Sequence, residues 1–212
     1  MLKLGLTGGI ASGKSIVGEM LVKRGAHLIQ SDAVAHALMD PGRPVYEEVV
    51  RRFGREILNP DGTVNRSRLA EAAFGTPGGS PPRVKELNEI VHPAVIAREN
   101  EWMQEIGRRD PNAIAVVEAA LILEAGAADR FDRLIVVTCH PGQRILRFAQ
   151  RLGISEDAAR AEVTRRMAAQ MSDEEKIKAA DFVIDNSGSF DETERQVQRV
   201  FATLGAENKK LP

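Results

Sequence analysis

Gly8-Gly9-Ile10-Ala11-Ser12-Gly13-Lys14-Ser15 is a complete G-x-x-x-x-G-K-S run. It follows the short apolar segment 2–6 and precedes Ile16, Val17, Met20 and Leu21, which share one helix face. Strand, glycine-rich turn and helix in that order is the context in which this motif cradles phosphate. Glycine lets the backbone turn so that successive N–H groups point inward at phosphate oxygens. The helix N-terminus adds partial positive charge behind them. A lysine at 14 reaches the outer phosphates as a mobile point charge, and a hydroxyl at 15 can hold Mg²⁺. An ordinary glycine-rich turn with a chance lysine is the competing reading, and the joint presence of strand, motif and helix weighs against it. Gly9, Ala11, Ser12, Gly13, Lys14, Ser15 and Ile16 are therefore the expected nucleoside triphosphate-binding residues of the loop, ATP-binding if the chain is a kinase.

Outward from the loop, apolar runs recur at 26–29, 114–117, 134–138 and 182–184. Continuous apolar strands separated by amphipathic helical patterns predict an α/β fold, a five-stranded parallel sheet covered by helices on both faces. Breakers crowd the stretch between the second and third strands: Phe53-Gly54, Asn59-Pro60-Asp61-Gly62 and the Gly75 to Pro82 cluster. Residues 41–110 are accordingly expected to form a mostly helical insertion. Residues 1–40 and 111–205 then form the nucleotide-binding core, with an arginine-rich helical stretch at about 141–178 and a flexible tail at 206–212. Ser189 and Glu192 form a candidate capping box before a final helix patterned by Phe190, Val197, Val200, Phe201 and Leu204.

Composition narrows the function class. The chain has 212 residues, 43% hydrophobic and 28% charged, the profile of a globular protein. Twenty-nine basic against 30 acidic residues leave a net charge of -1, which argues against nucleic acid as the main partner. No run is long and clean enough to span a bilayer, because Glu118 and Glu124 interrupt the most apolar region. The single cysteine, Cys139, excludes an internal disulfide and fits a reducing cytoplasm.

The loop alone does not separate kinases from switches. An Asn-Lys-x-Asp guanine reader is absent, which weakens a switch. Asp32 lies just beyond the second strand, at the sheet edge where ligands collect. It could accept or orient a hydroxyl proton, or simply cap a helix starting at Ala33. Glu118 ends the third strand, where it could stand behind Mg²⁺ or merely precede a helix over 119–123. Arg144, Arg147 and Arg151 carry positive charge without an acid between them, either as a closing lid or as a solvated face. The histidines show no metal-ligand spacing.

These residues together resemble the dephospho-CoA kinase family over nearly the whole chain, from about Lys3 to Phe201. Leu6 to Ser15 resembles its phosphate loop, and Ser31-Asp32-Ala33-Val34-Ala35-His36 its Asp-Ala-Asp segment. Val64 to Leu69 and Leu87 to Pro93 resemble signatures of its acceptor-side insertion, and Glu118 to Glu124 its Asp-x-Pro-Leu-Leu-Phe-Glu stretch. Arg166 to Ser172 and Ala180 to Ser189 are similar to its lid end and last strand-to-helix turn. The chain departs from the pattern with Ala11 for glycine, Gln30 for the first aspartate, Glu118 for aspartate and Ala120 for proline. The resemblance implies transfer of the γ-phosphoryl group of MgATP to the ribose 3′-hydroxyl of dephospho-CoA. It also implies Asp32 as base, Lys14 and Arg147 as catalytic cations, and Asp32, Arg66, His92 and Glu118 on the acceptor side. Ser15 would hold the metal, and Asn186 and Gly188 would lie at the adenine, by analogy with related kinases. ATP and dephospho-CoA are the expected partners, with no nucleic acid, membrane or obligatory protein partner and a monomeric state. Alternatives are a kinase of another small hydroxyl acceptor, such as a nucleoside or sugar acid, and a non-catalytic nucleotide-binding regulator. His92-Pro93 is expected to mark a break between helices.

Overall fold

The computed structural model describes residues 1–75 and 82–208. Residues 76–81 of the breaker cluster and 209–212 of the tail lie outside them. Among the described residues, β1 (Leu2–Gly8), β2 (His27–Gln30), β3 (Ile114–Glu118), β4 (Arg133–Thr138) and β5 (Phe182–Asp185) form one parallel sheet in the order β2-β3-β1-β4-β5. All five strands expected from the apolar runs are present. The sheet is apolar because it is covered on both sides: Leu4, Leu6, Val116, Ile135 and Val137 are fully buried on one face, and Ala115 and Val136 on the other. Each such leucine, isoleucine or valine side chain is worth about 1.5–3 kcal/mol of burial.

On one face, Val17, Met20 and Leu21 of α1 (Lys14–Val22) and Val197 and Leu204 of α9 (Phe190–Asn208) share a core with Leu2, Leu4 and Leu6. A separate cluster joins Ile122, Leu134 and Val136. β1 has β3 on one side and β4 on the other, so the strand order reverses direction there. Open α/β sheets bind ligands beyond the carboxyl end of that strand, and β1 runs straight into the phosphate loop.

The chain divides into two compact units, Met1–Gln30 with Met103–Pro212, and Ser31–Trp102. The second comprises α2 (Ser31–Leu38), α3 (Pro44–Phe53), α4 (Arg66–Phe74) and most of α5 (Val84–Arg109). Pro44 starts α3, where its missing N–H costs nothing. Val45, Val49 and Phe53 bury one face, and Gly54 at φ 87 ends the helix. The Arg83 guanidinium stacks 4.4 Å from the Phe53 ring centroid. Asn59 to Gly62 forms a turn closed by a Leu58–Val64 bridge, and Tyr46 Oη donates to the Gly62 carbonyl at 2.7 Å.

Within the first unit, the arginine-rich stretch consists of α6 (Pro141–Leu152), α7 (Glu156–Ala168) and α8 (Asp173–Ala179). Gly153, at φ 63, ends α6, and a Ser172–Glu175 capping box starts α8. The second expected capping box is also present: Ser189 N–H donates to Glu192 at 2.7 Å, and Glu192 N–H donates to the Ser189 hydroxyl at 3.3 Å.

Four local expectations are corrected. Pro93 lies inside α5 and does not break it. It forfeits one helical hydrogen bond, but Val91 and Val95, buried four residues apart, anchor the helix on either side. α2 starts at Ser31, so Asp32 sits in its first turn instead of capping it. No helix forms over 119–123; residues 120–126 are turns, and the Ala120 carbonyl accepts from the Thr7 hydroxyl at 3.2 Å. Phe190 is 56% exposed, because it opens α9 before the face that packs on the sheet begins.

Candidate active site

The loop is shaped by two glycines with no room for a side chain. A Cβ on Gly8, at φ 153, would lie 2.2 Å from the Val137 carbonyl oxygen. One on Gly13, at φ 95, would lie 2.0 Å from the Asn186 amide nitrogen. Gly13 is the N-cap of α1, so the N-terminal end of that helix, with its partial positive charge, opens on the loop. Lys14 Nζ donates to the carbonyls of Gly8 at 2.9 Å and Gly9 at 3.2 Å, curling back over the turn it follows. The Ser12 hydroxyl is fully buried and finds no hydrogen-bond partner among the described residues.

Ala11 is the one non-glycine residue at positive φ, 53°, among the described residues. An L-residue there carries about 1–2 kcal/mol of strain, and glycine returns part of that as lost backbone entropy. Ala11→Gly is therefore expected to raise stability by about 0.5–1 kcal/mol, read as a higher thermal midpoint. A lower midpoint would mean that the methyl, packed against the cluster of Ile10, Ile145 and Phe148, outweighs the strain. Cys139 is buried against the same turn: its thiol lies 3.7 Å from the Ala11 carbonyl, and burial pushes its pKa up. It is a packing residue and not a nucleophile.

Beside the loop stands a hydrogen-bonded trio. Glu118, the last residue of β3, pairs in register with Gln30, the last residue of β2, and with Leu6, two residues before the end of β1. The Ser15 hydroxyl donates to Glu118 Oε1 at 2.8 Å, and Gln30 Nε2 donates to Oε2 at 3.0 Å. The hydroxyl and carboxylate are hard oxygen donors of the type Mg²⁺ prefers. Among the described residues no group of three or more His, Cys, Asp or Glu side chains is placed to hold a metal.

Of the candidate lid arginines, Arg147 reaches the loop. Its guanidinium donates to the Asn186 carbonyl at 2.8 Å and the Ser12 carbonyl at 3.4 Å. Asn186 clamps the same turn, donating through Nδ2 to the Ser12 carbonyl at 2.9 Å while its Oδ1 accepts from the Thr193 hydroxyl at 3.0 Å. Arg151 and Arg166 lie over the Phe148 ring. Arg166 also bonds Glu162, whose carboxyl is pulled down to about 2, first by the hydrogen bond from Arg165 and further by Arg166. Gly188 is exposed and lines a polar groove of about 370 Å³ with Asp185, Glu192, Arg195, Gln196 and Arg199.

Arg144, named with Arg147 and Arg151 as a lid candidate but given no role of its own, is 1% exposed and also braces the loop. Its guanidinium lies where a Gly9 side chain would be, bonds the Cys139 carbonyl and pairs with Asp173 at the start of α8. No local pattern marks it, because Asp173 lies two helices further along the chain.

In the second unit, Asp32 is exposed in the first turn of α2, and His36 follows one turn later. The Ser31 hydroxyl donates to the buried Glu99 of α5 at 2.6 Å, tying down the end of α2 that carries Asp32. His36 has its pKa lowered by burial and then by Arg66, with Asp32 acting in the opposite direction. Arg66 is exposed at the start of α4, behind the Asn65 cap. Arg66 and Asp32 thus both act electrostatically on His36. His36 had no spacing signal, since Arg66 reaches it from another helix. His92 is half-buried in α5.

Comparison with known proteins adds an independent finding. The model of the dephospho-CoA kinase family matches residues 2–192. A dephospho-CoA kinase of Geobacter metallireducens is 42% identical over 93% of this chain and 94% of its own. Among solved structures, TT1252 from Thermus thermophilus superposes with a TM-score of 0.74 at 32% identity, covering 96% of this chain and 97% of its own. Dephospho-CoA kinase from Campylobacter jejuni gives a TM-score of 0.60 at 26% identity, over 95% and 96% of the two chains.

Proposed function

The chain belongs to the dephospho-CoA kinase family, and from that premise we propose how its own residues divide the reaction. It is an ATP-dependent phosphotransferase that takes an alcohol acceptor, the ribose 3′-hydroxyl of dephospho-CoA, and yields CoA and ADP. In phosphoryl transfer the protein contributes mainly positioning and charge stabilisation. The loop N–H groups and Lys14 bind the ATP phosphates. Lys14 gives up the Gly8 and Gly9 carbonyls for phosphate oxygens, exchanging neutral acceptors for charged ones. Ser15 would hold Mg²⁺ with Glu118 behind it, and the cation, when bound, would supply positive charge against the phosphate oxygens. Asp32 accepts the proton of the attacking hydroxyl, and Arg147 offsets charge that develops on the transferred group. Arg66 and His92 belong to the acceptor side, and Asn186 and Gly188 to the nucleotide side.

The observation that carries this division is the loop itself. Its lysine, its Ser15–Glu118 contact and its Arg147 brace converge on the carboxyl end of β1. We also read the protein as a cytoplasmic monomer with no obligatory protein partner. The cytoplasmic part rests on its single buried thiol. No helix among the described residues is long and apolar enough to cross a membrane.

Acceptor choice tests the reading. With MgATP, dephospho-CoA is expected to be phosphorylated far faster than a free nucleoside or a sugar acid. Equal turnover of those acceptors would point to a kinase of broader or different specificity. ATP binding without transfer to any acceptor would point to a regulator.

A further inference from the structure

Gln30 is the last residue of β2 and stands in register beside Glu118, the last residue of β3. A carboxylate can only accept hydrogen bonds, so the amide must present its nitrogen, and it does so at 3.0 Å from Oε2. The other carboxylate oxygen, Oε1, takes the Ser15 hydroxyl at 2.8 Å. Glu118 is only 8% exposed, so these two donors supply much of what solvent would otherwise give it.

We propose that Gln30 is a positioning residue that holds this centre at a single negative charge and keeps Glu118 turned toward Ser15, so that a divalent cation binds with the triphosphate and not before it. This rests on the kinase reading above. The affinity of an oxygen site for a divalent cation follows the number of charged ligands it offers. Here there is one carboxylate with both oxygens engaged, one by an amide that carries no charge. A carboxylate at position 30 would face Glu118 across a hydrogen-bonding distance with no proton between them. Two like charges that close repel, and a divalent cation between them removes the repulsion. The identity of residue 30 therefore decides whether the site is a cation site in its own right or one completed by the nucleotide.

The test is titration of nucleotide-free protein with Mn²⁺, following loss of the free-ion paramagnetic resonance signal, with folding checked by circular dichroism. The native protein is expected to bind Mn²⁺ weakly. Gln30→Glu is expected to bind it about tenfold tighter or more. The double change Gln30→Glu with Glu118→Gln restores a single charge and is expected to return to the native affinity. Gln30→Asp provides a second, shorter carboxylate should the glutamate variant not fold, with tighter binding again expected. Folded single variants with native Mn²⁺ affinity would overturn the proposal, as would tight Mn²⁺ binding by the native protein without nucleotide. A purely structural Gln30 would lower the thermal midpoint without moving the Mn²⁺ isotherm, which is the same overturning result. Acceptor-dependent turnover of the native protein is measured separately, so failure of the kinase reading is distinguishable from failure of this one.

Discussion

Asp32→Asn is expected to lower turnover by about 10²–10⁴-fold while MgATP affinity stays nearly unchanged. The substitution keeps size and shape and removes the ability to take a proton. Asp32 lies in the first turn of α2 and does not cap the helix, so the fold loses little. The cost is a favourable charge at a helix N-terminus, about 0.3–1 kcal/mol. Stability and rate therefore separate: a small change in thermal midpoint beside a large fall in kcat identifies chemistry. Because Asp32 and the phosphate loop belong to different compact units, nucleotide affinity is the internal control. Intact turnover in the variant would remove Asp32 as the base.

Lys14→Ala is expected to damage both binding and rate. Its ammonium is the charge that follows the phosphates, and each charged hydrogen bond it makes to them is worth about 1.5–3 kcal/mol. The corresponding loss in MgATP affinity is about tenfold to a hundredfold, and turnover should fall by a further factor of about 10²–10³. Lys14→Arg is the sharper control. Arginine keeps the charge, but its planar fork cannot replace a compact ammonium that curls over the Gly8 and Gly9 carbonyls. Most of the activity should therefore stay lost. Titration of each variant with MgATP, followed by steady-state rates, checks both statements. Native affinity in Lys14→Ala would mean that the loop amides hold the phosphates without it.

The sheet was legible in the sequence because parallel strands buried on both faces are written as uninterrupted apolar runs, and 114–117 and 134–138 are such runs. The loop was legible because its glycines answer steric demands: Gly8 and Gly13 sit where a Cβ would strike a carbonyl oxygen or an amide. What escaped reading depended on residues far apart in the chain. Gln30 looked like a lost acid. Only the β2–β3 register turns it into a donor to Glu118. Arg144 and Arg147 are three residues apart on one helix. Only tertiary structure separates the one buried against Asp173 from the one reaching Ser12 and Asn186. Pro93 misled for the same reason. A local rule predicts a helix break there, and burial of Val91 and Val95 overrides it.

Acceptor-dependent phosphoryl transfer is read from ADP release by the purified protein with MgATP, with and without dephospho-CoA, while the acceptor product is followed by mass. ADP and CoA formed in equal amounts, and only when dephospho-CoA is present, is the predicted result. Tight ATP binding with no acceptor-dependent ADP, or ADP released at the same rate without the acceptor, would contradict it.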